Sequence, residues 1–98
     1  MNLYVIRRPR IGRSPEEVAA AAGRSQQIGD EEMSTDIRWI RSYVVQETGG
    51  GLGTFCIYQA SSEKKIREHA ARAGIPATDI FPVVDTVLVR PDPVAVSA

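Results

Sequence analysis

Two helix starts, each preceded by a strand-like apolar run and each closed by helix-breaking residues, fix the order of elements in this chain. At the first, Ser14 suits the N-cap, Pro15 suits the first helical position, and Glu17 stands where a capping box places its acid. Val18, Ala21, Ala22 and Ser25 then form an inward stripe, predicting a helix over Pro15–Ile28. At the second, Ser61 or Ser62 caps a run that continues through Ala73. Gly74 closes this helix and Pro76 prevents its continuation, so it is expected over Ser62–Ala73.

Strand-forming runs fill the remaining slots. Asn2–Arg8 carries Leu3, Tyr4, Val5 and Ile6; the others are Ile37–Gln46, Thr54–Ala60 and Ile80–Val89. The order is β-α-β-β-α-β, the split βαβ pattern. It predicts a ferredoxin-like α+β sandwich, a four-stranded antiparallel sheet with two helices on one face. One domain over residues 1–90 is expected, followed by a flexible tail over 91–98 in which Pro91 and Pro93 break any strand. Arg7, Arg8, Pro9, Arg10 and Arg13 read as a basic loop. Asp30–Asp36 either prolongs the first helix or forms a loop. Thr48–Gly53 reads as a mobile connection; it lacks the following Lys-Ser of a P-loop and the spacing of a dinucleotide fingerprint.

The strands constrain assembly as well. A sheet with one wet face alternates apolar and polar residues, but here both parities carry bulk. Simple alternation puts Trp39 and Tyr43 on one face of the second strand, with Ile40 and Val44 on the other. Phe55 and Ile57 likewise oppose Cys56 and Tyr58, and Phe81, Val83, Val87 and Val89 oppose Ile80, Val84 and Leu88. Two helices cover one face only. A homodimer packed through the helix-free sheet face is therefore expected.

Composition excludes several classes. Twelve basic and twelve acidic residues cancel, which argues against a dedicated nucleic-acid or anionic-membrane binder. A single cysteine, Cys56, rules out an internal disulfide and fits a reducing compartment. With no apolar signal core and no long apolar run, a cytoplasmic location is expected.

His69 is the only histidine, and it shares its helical face with Ile66, Ala70 and Ala73. Histidine titrates near neutrality and ligates transition metals. Placed toward the edge of the buried arc, it leaves one ring nitrogen for a pocket or for water. Structural, ligand-binding, metal-binding and acid–base roles all remain open to it. No second ligand stands at motif spacing, so a metal would draw donors from separate elements or from a second subunit. Helical geometry turns Glu68 away from it. Trp39 and Tyr43, with Arg41 between them and Tyr58 from the third strand, are candidates to line a ligand cavity, or else to pack in a core or interface. Cys56 reads as packing, with a soft metal ligand or a reactive thiol as the alternatives. The arginines before the first helix offer a site for a small anion or a solvated charge run.

The strings Ile37-Arg38-Trp39-Ile40-Arg41-Ser42-Tyr43-Val44, Phe55-Cys56-Ile57-Tyr58-Gln59-Ala60 and Ile66-Arg67-Glu68-His69-Ala70, with Ala73-Gly74 and Pro76-Ala77, resemble small bacterial domains that include a nickel-binding ferredoxin-like protein. The resemblance implies a ferredoxin-like homodimer, nickel or another transition metal as the cofactor, and His69 as a metal ligand. It departs at Ile75, where the nickel-binding member carries a second histidine and this chain has no donor. The glycine-rich connection is also longer than the resemblance implies. The functional expectation is a small ligand-binding protein with a pocket beside His69, Tyr43 and Trp39, nickel being one ligand considered. The alternatives are a dimeric α/β-barrel-type enzyme using His69 as acid or base and Tyr43 to position a small hydrophobic substrate, and an interaction module without a small-molecule site.

Overall fold

The computed structural model describes residues 1–94. The elements are β1 (Asn2–Gly12), α1 (Pro15–Gln27), β2 (Ile37–Gln46), β3 (Leu52–Ala60), α2 (Glu63–Ala73) and β4 (Asp79–Pro82), with one π-helical turn, Ile28–Glu32, after α1. The strands form a single sheet in the order β2-β3-β1-β4. Every neighbouring pair is antiparallel. The β1-α1-β2 unit is split by β3, which gives the ferredoxin-like α+β fold predicted from the order of elements.

The caps form as their residues dictate. Ser14 Oγ accepts from Glu17 N at 3.3 Å, and Glu17 Oε2 accepts from Arg13 N at 3.1 Å, one residue before the reciprocal partner of a standard capping box. Ser62 Oγ accepts from Lys65 N at 3.3 Å. Gly74 takes φ +68°, and Ile75 N returns to Ala70 O at 3.1 Å, so α2 ends in a left-handed turn that favours glycine.

The structure departs from the sequence expectation in three places and, at Ile28–Glu32, selects one of two alternatives left open. First, β1 runs on through the expected basic loop to Gly12, because Arg7 and Arg8 still pair with Phe55 and Thr54 of β3. Second, Ile28–Glu32 prolongs α1 as a wider turn, closed by Met33 N on Ile28 O at 3.1 Å. Third, β4 stops at Pro82 instead of continuing to Val89. Its partner β1 begins at Asn2, and the last cross-strand bond is Val83 N to Leu3 O at 2.9 Å. Fourth, the β2–β3 register shifts between Trp39 and Arg41, leaving Ile40 as a bulge. The bulge puts Trp39 on the helix side and Tyr43 on the opposite face, so the simple alternation that paired them fails.

The core lies between the helices and the sheet. Tyr4, Ile6, Met33, Ile37, Cys56, Tyr58, Ala60 and Ile66 are buried together there. The other sheet face carries Leu3, Val5, Phe55, Ile57, Tyr43 and Phe81 by strand register. Of these, Phe55, Tyr43 and Phe81 are exposed. Beyond β4, Val84, Val87, Leu88 and Val89 also face solvent. Within the expected tail, Asp92 accepts from Tyr43 Oη and Arg41 Nη1 at 2.8 and 2.9 Å, while residues 95–98 lie outside those described.

Candidate functional site

Arg8 is the least expected residue of the core. Side chains alternate along a strand, so Tyr4, Ile6 and Arg8 of β1 share the helix-facing side. Arg8 is 1 % exposed. Its Nη1 donates to Pro76 O at 2.7 Å, while Nε and Nη2 are buried with no hydrogen-bond partner. The guanidinium carbon sits 5.6 Å from the centre of the Tyr58 ring.

Tyr58 of β3 links the polar groups together. Its hydroxyl lies 2.8 Å from Ser25 Oγ of α1. His69 of α2 meets the Tyr58 ring edge-on at 5.4 Å, and Trp39 of β2 stacks on it at 6.1 Å. His69 Nε2 is 2.9 Å from Ser25 O. A carbonyl only accepts, so Nε2 carries the proton and Nδ1 is the bare acceptor. Nδ1 is buried without a partner.

His69 is therefore not at the edge of the buried arc; its exposure is 0 %. Ser25 and the π-helical turn close over its Nε2 edge, with Gly29 packed beside the ring. Burial is the largest influence on its pKa and lowers it from the usual 6.5. The bond to Ser25 opposes this shift, and the Arg8 charge adds to it. Burial also raises the Tyr58 phenol above its ordinary value, with Ser25 and Arg8 opposing.

Arg8, Val18, Ser25, Trp39, Cys56 and Tyr58 are among the residues lining a cavity of ≈ 50 Å³ between α1 and the sheet. Ile75 completes its wall. Cys56 is buried, and its Sγ donates to Thr54 Oγ1 at 3.2 Å, in keeping with a packing role. A groove of ≈ 410 Å³ lined by Pro15, Val18, Ala19, Val44 and Leu52 adjoins the cavity, sharing Val18 and Val44. A wider trough of ≈ 620 Å³ lies between residues 10–13 and 49–51. It is open and lined by Arg10, Arg13 and glycines, with no buried polar group, so the small cavity is the stronger site.

The expected site residues thus separate. Trp39 lines the cavity. His69 stands behind it, in contact with Tyr58 and Ser25. Tyr43 lies across the sheet, bonded to Asp92, and does not share a site with His69. The arginines also part company. Arg7 Nη2 donates to both carboxylate oxygens of Glu47 at 2.6 and 2.7 Å, Arg10 donates to Thr48 O at 3.1 Å, and Arg8 alone enters the core. Among the described residues, no three His, Cys, Asp or Glu side chains gather to hold a metal ion.

The residues from Tyr4 to Val83, which include Arg8, Ser25, Tyr58 and His69, match the family described as nickel responsive protein SCO4226-like over 4–83. The crystal structure of SCO4226 from Streptomyces coelicolor A3(2) superposes with a TM-score of 0.69 at 15% identity, covering 87% of this chain and 99% of that one. At that identity the likeness is one of fold. Comparison with the curated proteins finds no match. Among the described residues, no helix is long and apolar enough to cross a membrane. The family match spans β1 to β4 and most of the sequence, and by it this chain belongs to the SCO4226-like family of nickel responsive proteins.

Proposed function

We propose that the chain binds a small organic ligand in the cavity between α1 and the sheet. The observation that carries this reading is an almost wholly apolar cavity, with room for a few heavy atoms, whose wall includes Arg8, Ser25 and Tyr58. The Ser25–Tyr58–His69 chain of contacts stiffens that wall. His69 then acts as a positioning residue. Its Nε2–H fixes the Ser25 backbone, and Ser25 Oγ fixes the Tyr58 hydroxyl.

The donor set around His69 does not fit nickel. Its free Nδ1 has no second donor beside it, and the Arg8 guanidinium adds positive charge where a cation would sit. Full burial also keeps a second subunit from supplying ligands. Ile75, standing where the resemblance puts another histidine, offers only an apolar wall. The nickel response named for the family is therefore not assigned to His69.

Native mass spectrometry of untreated protein tests the ligand reading. The wild type should carry a non-protein mass that Ala22→Leu, which fills the cavity, does not. A bare wild type that also gains no thermal shift from small acids, amides and alcohols sinks the reading. A second copy of the chain is the partner we infer, supported by the exposed apolar residues of the helix-free face and of Val84–Val89.

A further inference from the structure

We propose that the ligand is a short aliphatic carboxylate held by Arg8. This rests on the cavity being a ligand site and names what enters it. Nε and Nη2 form one edge of the guanidinium, and their hydrogens point the same way. Both are free, while Nη1 on the other edge is occupied by Pro76 O at 2.7 Å. This buried, unpartnered edge is a two-pronged donor matched to a carboxylate, which reaches it once the cavity wall gives way slightly.

The alternatives inside the protein are absent among the described residues. Arg7, one position earlier, has Glu47 within 2.6 Å, but Arg8 has no carboxylate partner. A buried guanidinium left short of partners is costly, and a bound anion removes that cost. Arg8 lines the cavity, and Thr54 stands on the same wall.

The rest of the wall selects the other end of the ligand. Val18, Ala21, Val44 and Ile75 are apolar and accept methylenes rather than a second charged group. The volume of ≈ 50 Å³ holds only a few heavy atoms. A longer chain leaves between Val18 and Val44 into the adjoining groove over Pro15, Ala19 and Leu52. The carboxylate thus lies innermost and the alkyl chain points outward.

Calorimetric titration of the full chain with acetate, butyrate, hexanoate, butyramide, 1-butanol and nitrate tests this. Butyrate should bind at least about ten-fold more tightly than butyramide, as expected for a charge-assisted pair. Affinity should rise about four-fold for each methylene buried, at ~0.8 kcal/mol per group. Arg8→Lys should lose at least about ten-fold for butyrate, because an ammonium cannot form the fork, and should lose less for butyramide. The comparison of butyrate with butyramide uses the wild type alone, so it stands even where an Arg8 variant fails to fold. Equal binding of butyrate and butyramide overturns the carboxylate and leaves the cavity a site for neutral ligands. Nitrate binding as well as butyrate, with no effect of chain length, overturns the aliphatic part. No binding of any probe overturns both this proposal and the ligand reading beneath it.

Discussion

At the scale of single residues, His69 has a definite pH signature. The unfolded chain titrates this imidazole near the usual 6.5, while the folded chain holds it lower. Between those values the unfolded state takes up a proton that the native state refuses. Stability should therefore fall as pH drops below about 6.5, by up to about 1.4 kcal/mol per pH unit. Groups from three of the packed elements bear on the ring: Arg8 from β1, Tyr58 from β3 and Ser25 from α1. Glu47 and Asp92 are held below ordinary carboxylate values, mainly by hydrogen bonds from Arg7 and Tyr43, so they titrate at lower pH. Urea melts from pH 7.5 to 5 should show the slope in the wild type and lose it in His69→Gln, whose amide N–H still reaches Ser25 O. An unchanged slope in that variant refutes the assignment. His69 was legible in the sequence because it is the lone histidine on an apolar helix face. Arg8 was not, because its inward parity was hidden within a run of arginines that otherwise lie at the surface.

At the scale of elements, helix ends were readable because serine, proline and glycine act locally on the backbone. Strand details were less so, because they depend on the partner strand. Gly53 is an example. Its sequence context reads as the end of a mobile glycine loop, yet it is buried within β3. A Cβ there would collide with Glu47 Oε1 and come within 2.8 Å of Arg8 O. Gly53→Ala should cost about 1–3 kcal/mol, the range for overpacking, measured by chemical denaturation. Glu47→Ala should relieve part of that loss in the double variant, and full additivity would show that the carboxylate is not the obstacle. The Ile40 bulge is equally invisible to a count of alternating residues, since it arises only where β2 meets β3. Deleting Ile40 restores strict pairing and leaves Trp39 opposite Tyr58 and Tyr43 opposite Phe55, so both keep their faces. The deletion should therefore shift the midpoint of unfolding little, and a large loss would show that the bulge itself is required; replacing Ile40 with threonine, an exposed change, should alter stability by less than about 0.5 kcal/mol.

At the scale of the whole molecule, apolar residues of both strand parities point to assembly. One parity fills the core under the helices. The other, with Phe55, Tyr43 and Phe81, remains exposed in the single chain. Val84, Val87, Leu88 and Val89, read in the sequence as part of a long fourth strand, lie beyond the last pairing position on β1 and add to that surface. Sedimentation at micromolar concentration should give a dimer, and Phe55→Glu with Phe81→Glu should give a folded monomer. A wild-type monomer under those conditions refutes the interface. The order of elements sufficed to predict the fold, because a split βαβ leaves few other ways to cover one sheet. It did not indicate where β4 ends, which the length of β1 decides.

The stacking of Trp39 on Tyr58 makes the protein its own optical gauge. Trp39 is the only tryptophan, it is half-buried on the cavity wall, and its indole N–H is held by Ser42 Oγ at 2.8 Å. Light emitted by this one ring comes from a single known location. Its colour and brightness therefore follow the wetness of the wall beside Arg8, without any attached dye.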